Sequence, residues 1–75
     1  PNQPSHMDMI EFKTALQALP VDQREALILV GAEGYSYEEA ASITGCAIGT
    51  VKSRVNRARV RLARTLEMVN VDELG

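Results

Sequence analysis

Apolar positions along this chain recur at helical rather than strand spacing. Met9, Ile10, Phe12, Leu16 and Leu19 mark a first helix from Asp8 to Leu19, with Asp8 placed as its N-cap. Pro20 ends it, because a proline disfavours helical dihedrals at the residue before it. A second helix opens at Val21 or Asp22. Its run Ala26-Leu27-Ile28-Leu29-Val30 is apolar almost all round, the pattern of a helix buried on several sides, and it closes between Gly31 and Gly34. Ser36-Tyr37-Glu38-Glu39 fits a capping box, so a third helix opens at Ser36; Ala40, Ala41 and Ile43 form its apolar face and Gly45 stops it. A long fourth helix spans about Ile48 to Met68. No segment alternates as a strand would.

Length then limits the fold to one domain near the lower size limit for a self-supporting core. Its hydrophobic share, 45%, is that of a globular chain. The aromatics are Phe12, Tyr35 and Tyr37, so the core is expected to be aliphatic, built from Leu, Ile, Val and Ala. Residues 1–7, ending in Ser5-His6-Met7, read as a vector-derived remnant, and His6 within it is given no chemical role. Residues 8–68 form the domain, and residues 69–75 are expected to be a flexible tail. A single cysteine, Cys46, suits a reducing cytoplasm and reads as a small apolar turn residue rather than a redox switch. No apolar run is long enough to span a membrane.

Charge changes the picture most. The chain is mildly acidic overall, at −2, yet residues 46–66 carry Lys52, Arg54, Arg57, Arg59, Arg61 and Arg64 and no acid. On a helical wheel Ile48, Val51, Val55, Ala58, Leu62 and Leu66 form one narrow stripe. Ser53, Asn56, Arg57, Val60 and Arg64 lie opposite. Lys52 and Arg59 flank the stripe on one side, Arg54 and Arg61 on the other. A merely solvated face would mix signs for i,i+4 pairing, and this one does not until Glu67. A basic stripe of this kind is the footprint of a polyanion-binding element.

The third and fourth helices have the spacing of a helix-turn-helix, so the fold class expected is all-α, four helices with a C-terminal helix-turn-helix. Ala41 allows close approach, Gly45 permits the sharp turn, and Val51 and Val55 plug the second helix into the first. The fourth helix can then enter a major groove. There is no metal cluster, phosphate loop or nucleophile–base set, and Glu38 and Glu39 read as capping residues, so neither an enzyme nor a cofactor is expected.

The runs Leu19-Pro20-Val21-Asp22-Gln23-Arg24-Glu25-Ala26, Gly34-Tyr35-Ser36-Tyr37-Glu38-Glu39-Ala40-Ala41 and Gly49-Thr50-Val51-Lys52-Ser53-Arg54-Val55-Asn56-Arg57-Ala58-Arg59 closely resemble region 4 of extracytoplasmic-function (ECF) sigma factors. The variant Gly45-Cys46-Ala47-Ile48-Gly49-Thr50 looks most like the alphaproteobacterial general-stress type. The resemblance covers about residues 11–66. It implies a domain that reads the −35 promoter element, docks on the RNA polymerase β-flap and answers to an anti-sigma factor, as a monomer in isolation. It implies base readout by Lys52, Ser53, Asn56 and Arg57, and phosphate contacts from Arg54, Arg59 and the start of the third helix, where Ser36 and Tyr37 lie; the wheel adds Arg61, off the outward face, as a further phosphate contact. Phe12, Leu16, Leu27 and Val30 are the candidate surface for polymerase or anti-sigma factor. Thr44 stands where many members have a large apolar residue, and Cys46 lies in the turn, so a looser junction is expected. The sigma-factor region that opens the −10 element is not recognisable, so the chain reads as a fragment. A sigma-like decoy that binds an anti-sigma factor without DNA is the alternative, disfavoured by the retained basic side chains. An ordinary dimeric regulator lacks an obvious dimerisation helix here.

Overall fold

The structure, a computed structural model, describes the backbone of residues 6–74 and the side chains of residues 9–67. Helix α1 is His6–Gln17, α2 is Val21–Leu27, α3 is Tyr37–Thr44 and α4 is Ile48–Leu74. Among the described residues there is no strand, which meets the all-α expectation. The 27-residue α4 is about 40 Å long at the usual helical rise, and α1, α2 and α3 all pack against it.

Several boundaries differ from the sequence reading. Helix α1 begins at His6, so Asp8 falls inside its first turn rather than before it; Ser5 and the residues before it lie outside the described residues. It stops at Gln17, two residues short of Leu19, because the Leu19 amide bonds back to Leu16 in a tighter turn before Pro20. The Arg24 guanidinium donates to the Gln17 carbonyl at 2.9 Å, satisfying an otherwise free C-terminal group of α1 from the next helix.

The second helix is not α-helical throughout. Ile28–Ala32 continues it as a π-helical turn, with the Glu33 amide bonding to the Ile28 carbonyl. Its apolar run is also less enclosed than expected. Ala26 is buried, but Leu27, Ile28, Leu29 and Val30 are only half-buried. At its other end, α4 runs past Met68 to Leu74, since no glycine or proline interrupts residues 69–74. The tail placed at residues 69–75 is therefore helical in its backbone as far as Leu74; Gly75 and the side chains of the segment lie outside the described residues.

The buried set among the described residues is Ala15, Leu19, Ala26, Ala40, Ala41, Val51, Val55 and Ala58. It is narrower than the expected Leu, Ile, Val and Ala core. The larger side chains are displaced outward because thin helices meet closely over alanines, and a chain this short cannot surround leucines on every side. The α4 stripe is enclosed at Val51, Val55 and Ala58 but opens at both ends: Ile48 is exposed, and Leu62 and Leu66 are half-buried. Helix α1 contributes little to this core. It buries Ala15, while Met9, Ile10 and Phe12 are 55%, 45% and 43% exposed.

Candidate nucleic-acid interface

The site is built from the turn outward. Gly45 takes φ 73°, the left-handed conformation that favours glycine, and its amide bonds to the Ala41 carbonyl at 2.9 Å. The Cys46 amide reaches the same carbonyl at 3.0 Å, closing α3 with a pair of bonds. Ala40, Ala41, Val51 and Val55 then meet in one cluster with Ala26. Thr44 and Cys46, from which a looser junction was expected, are both accommodated in the turn. The Thr44 hydroxyl donates to the Ala40 carbonyl at 2.8 Å, which satisfies it inside its own helix, and Cys46 packs against the cluster.

The start of α3 is fixed as the capping box requires. Ser36 Oγ accepts from the Glu39 amide at 3.0 Å, and the Ser36 amide donates to Glu39 Oε1 at 2.9 Å. That backbone N–H, aided by the Ser36 side chain, holds the Glu39 carboxyl below its ordinary pKa. The cap uses the serine oxygen as an acceptor and leaves its O–H free to donate to a phosphate. Tyr37 follows, half-buried, with Lys52 Nζ 5.6 Å from its ring centroid, inside cation–π range. Lys52 is thereby drawn toward the α3 start, on the flank of α4 where the wheel puts it.

Behind this junction, Val51, Val55 and Ala58 are buried while Ser53, Asn56, Arg57, Val60, Arg61 and Arg64 are exposed. The outward face of α4 therefore carries the side chains the sequence assigned to it. Arg59 is also exposed. Two open clefts run along this face where α2 approaches. One, about 380 Å³, is bordered by Asp22, Gln23, Gly49, Thr50, Ser53, Arg54 and Arg57. The other, about 480 Å³, is bordered by Gln23, Asn56, Arg57, Val60, Arg61, Arg64 and Thr65.

Arg54, expected as a phosphate contact, is partly engaged within the fold. It is half-buried, its Nη1 donates to Cys46 Sγ at 3.0 Å, and its Nε lies 3.5 Å from Asp22 Oδ2. It ties α4 to the turn and to α2, and part of its guanidinium is engaged within the fold. Asp22 and Gln23 were not identified as site residues from the sequence. The bare pattern marks them only as polar residues at a helix start, and their approach to α4 is tertiary.

The candidate partner surface is assembled only in part. Phe12, Leu16 and Leu27 converge on an apolar groove of about 270 Å³, joined by Ile28, Gly31, Ala32 and Leu62. Val30 does not border it, and packs instead against the buried cluster. Ile28 and Leu62 were read from the sequence as core, and only the stacking of α1, the π-helical turn and α4 reveals their exposed edges.

A helix-turn-helix this closely packed, with a basic outer face, matches the family model for sigma-70 region 4 over residues 9–62. The chain belongs to the sigma-70 region 4 family. This region 4 domain is 57% identical over 75 residues to an ECF sigma factor, EcfG, of Rhodopseudomonas palustris, across 100% of this chain and 41% of that protein. It is 51% identical over 61 residues to the ECF sigma factor SigM of Mycobacterium tuberculosis, across 81% of this chain and 31% of the relative. A solved complex of the sigma factor RpoE with the anti-sigma factor NepR from Bartonella quintana superposes with a TM-score of 0.79 at 60% identity, covering 89% of this chain and 42% of that one. The domain is thus an ECF-type region 4, most similar to the alphaproteobacterial general-stress type, and it spans less than half the length of these relatives. Among the described residues no group of His, Cys, Asp or Glu is arranged to hold a metal, and no helix is long and apolar enough to cross a membrane.

Proposed function

We propose that this domain reads the −35 promoter element by placing α4 in the major groove, with Lys52, Ser53, Asn56 and Arg57 at base edges. Arg59, Arg61, Ser36 and Tyr37 hold the flanking phosphates, and Arg54 contributes with whatever part of its guanidinium the fold leaves free. The observation that carries this reading is the division of α4: Val51, Val55 and Ala58 buried on one side, Ser53, Asn56 and Arg57 exposed on the other, with no acid between residues 46 and 66. A helix docked by that inner face presents its outer face as a unit to the groove.

The same reading gives the domain a cytoplasmic place in a sigma factor that directs RNA polymerase to stress genes, docking on the polymerase β-flap, under control of an anti-sigma factor. It assigns no catalysis. The pairing of the similar sigma factor RpoE with the anti-sigma factor NepR in one complex supports that partner class. The groove of Phe12, Leu16 and Leu27 is the surface proposed for it or for the flap. Co-purification with flap and anti-sigma proteins, beside a gel shift on a −35 duplex, tests this. Retention of a protein partner together with a sequence-dependent shift is expected; partner binding without any shift supports the decoy instead.

A further inference from the structure

Gln23 and Arg57 are, among the described residues, the two that border both clefts on the α2 side of α4. Both therefore lie where those clefts adjoin. Gln23 Oε1 is fully enclosed and has no hydrogen-bond partner. Arg57 is exposed and makes no hydrogen bond or ion pair among the described residues. An enclosed acceptor lacking a donor thus sits on the same wall as a guanidinium lacking an acceptor. Such an orphan oxygen costs folding free energy, so its retention calls for a reason.

We propose that Gln23 is the positioning residue for Arg57, its Oε1 accepting one guanidinium N–H when Arg57 is drawn onto a base edge. The inference rests on the −35 reading above and deepens it. A bidentate hold on guanine engages one edge of the guanidinium and leaves N–H groups on its other side unsatisfied. Gln23 supplies an uncharged acceptor there. A carboxylate in its place would repel the duplex phosphates, and an apolar side chain would leave the arginine free to rotate. The other donors near Gln23 fit less well: Ser53 and Thr50 border the first cleft alone, Arg61 and Arg64 the second alone.

A double-mutant cycle on matched and mutated −35 duplexes separates this role from a structural one. Gln23→Met keeps the side-chain length and removes the acceptor. In the native background it is expected to weaken matched-duplex binding about tenfold, the loss of one charge-assisted bond. It should relax preference at the position Arg57 reads and leave the salt dependence unchanged, since no phosphate contact is lost. In an Arg57→Ala background it should cost nothing further. Its thermal midpoint should not fall, because an unsatisfied buried oxygen is being removed. Equal losses in both backgrounds, or no loss on a duplex that the native domain binds, overturn the positioning role and leave the −35 reading intact. A native domain that binds no duplex overturns both.

Discussion

Asp22, in the first turn of α2, sits 3.5 Å from the Nε of Arg54 on α4. The pair links the helix before the helix-turn-helix to the helix that carries the basic face, and its side chains are partly exposed. Solvent-exposed pairs of this kind add little stability, at most about 1 kcal/mol. The larger consequence is for binding, because Asp22 holds the Nε edge of a guanidinium whose Nη1 is already engaged by Cys46, and so limits what Arg54 can offer a phosphate.

Asp22→Asn is therefore expected to leave the fold nearly unchanged and to tighten duplex binding on every sequence alike. The salt slope should steepen, by at most about 0.9, as Arg54 engages its phosphate more fully. Fluorescence anisotropy across a salt series reads both quantities. Weaker binding in the variant would mean that Asp22 orients Arg54 for DNA rather than holding it back.

The capping box gives a pH prediction. Glu39 has its pKa lowered by the Ser36 backbone N–H, so its contribution is present at neutral pH and lost as pH falls through the depressed folded-state value. Thermal midpoints should drop in acid more steeply for the native domain than for Glu39→Gln. Ser36→Ala should cost about 1 kcal/mol at neutral pH, the usual cost of losing an N-cap. An unchanged midpoint in Ser36→Ala would show that tertiary packing alone holds the α3 start.

Much of this was legible in the sequence because the signals were local. The Ser36–Glu39 box, Gly45 at the turn and the Val51-Val55-Ala58 stripe are each dictated by neighbours within a helical turn or two. What escaped the sequence was tertiary or cumulative. Arg54 looks like any other arginine on the wheel until Asp22 and Cys46 are brought beside it. Gln23 lies in a run that resembles the family, but that run assigns it no role; its enclosed oxygen emerges only once the chain is packed. The Leu27–Val30 run reads as buried on several sides, but too little chain surrounds it, and from Ile28 it continues as a π-helical turn rather than an α-helix.

The apolar groove makes a separate claim about partners. On the −35 reading an isolated region 4 makes only part of a sigma factor's promoter contacts, whereas Met9, Ile10 and Phe12 are exposed apolar residues of α1 and Phe12 borders the groove. Calorimetry should find tighter binding to an anti-sigma factor than to a −35 duplex. Phe12→Ala, at a site 43% exposed, should weaken the protein partner by more than about 1 kcal/mol and leave duplex affinity unchanged. Nanomolar duplex affinity with no measurable protein partner would contradict this.

The central claim is that the outer face of α4 divides its work, with Arg57 reading a guanine of the −35 element and Arg61 holding phosphate. Anisotropy of Arg57→Ala and Arg61→Ala on matched and mutated −35 duplexes, at several salt concentrations, tests it most directly. Arg57→Ala should cost about 1–3 kcal/mol on the matched duplex and erase preference at one position. Arg61→Ala should weaken every duplex alike and lower the salt slope by about 0.9. If Arg57→Ala weakens all sequences equally and Arg61→Ala changes base preference, the assignment of reading and holding along α4 is wrong.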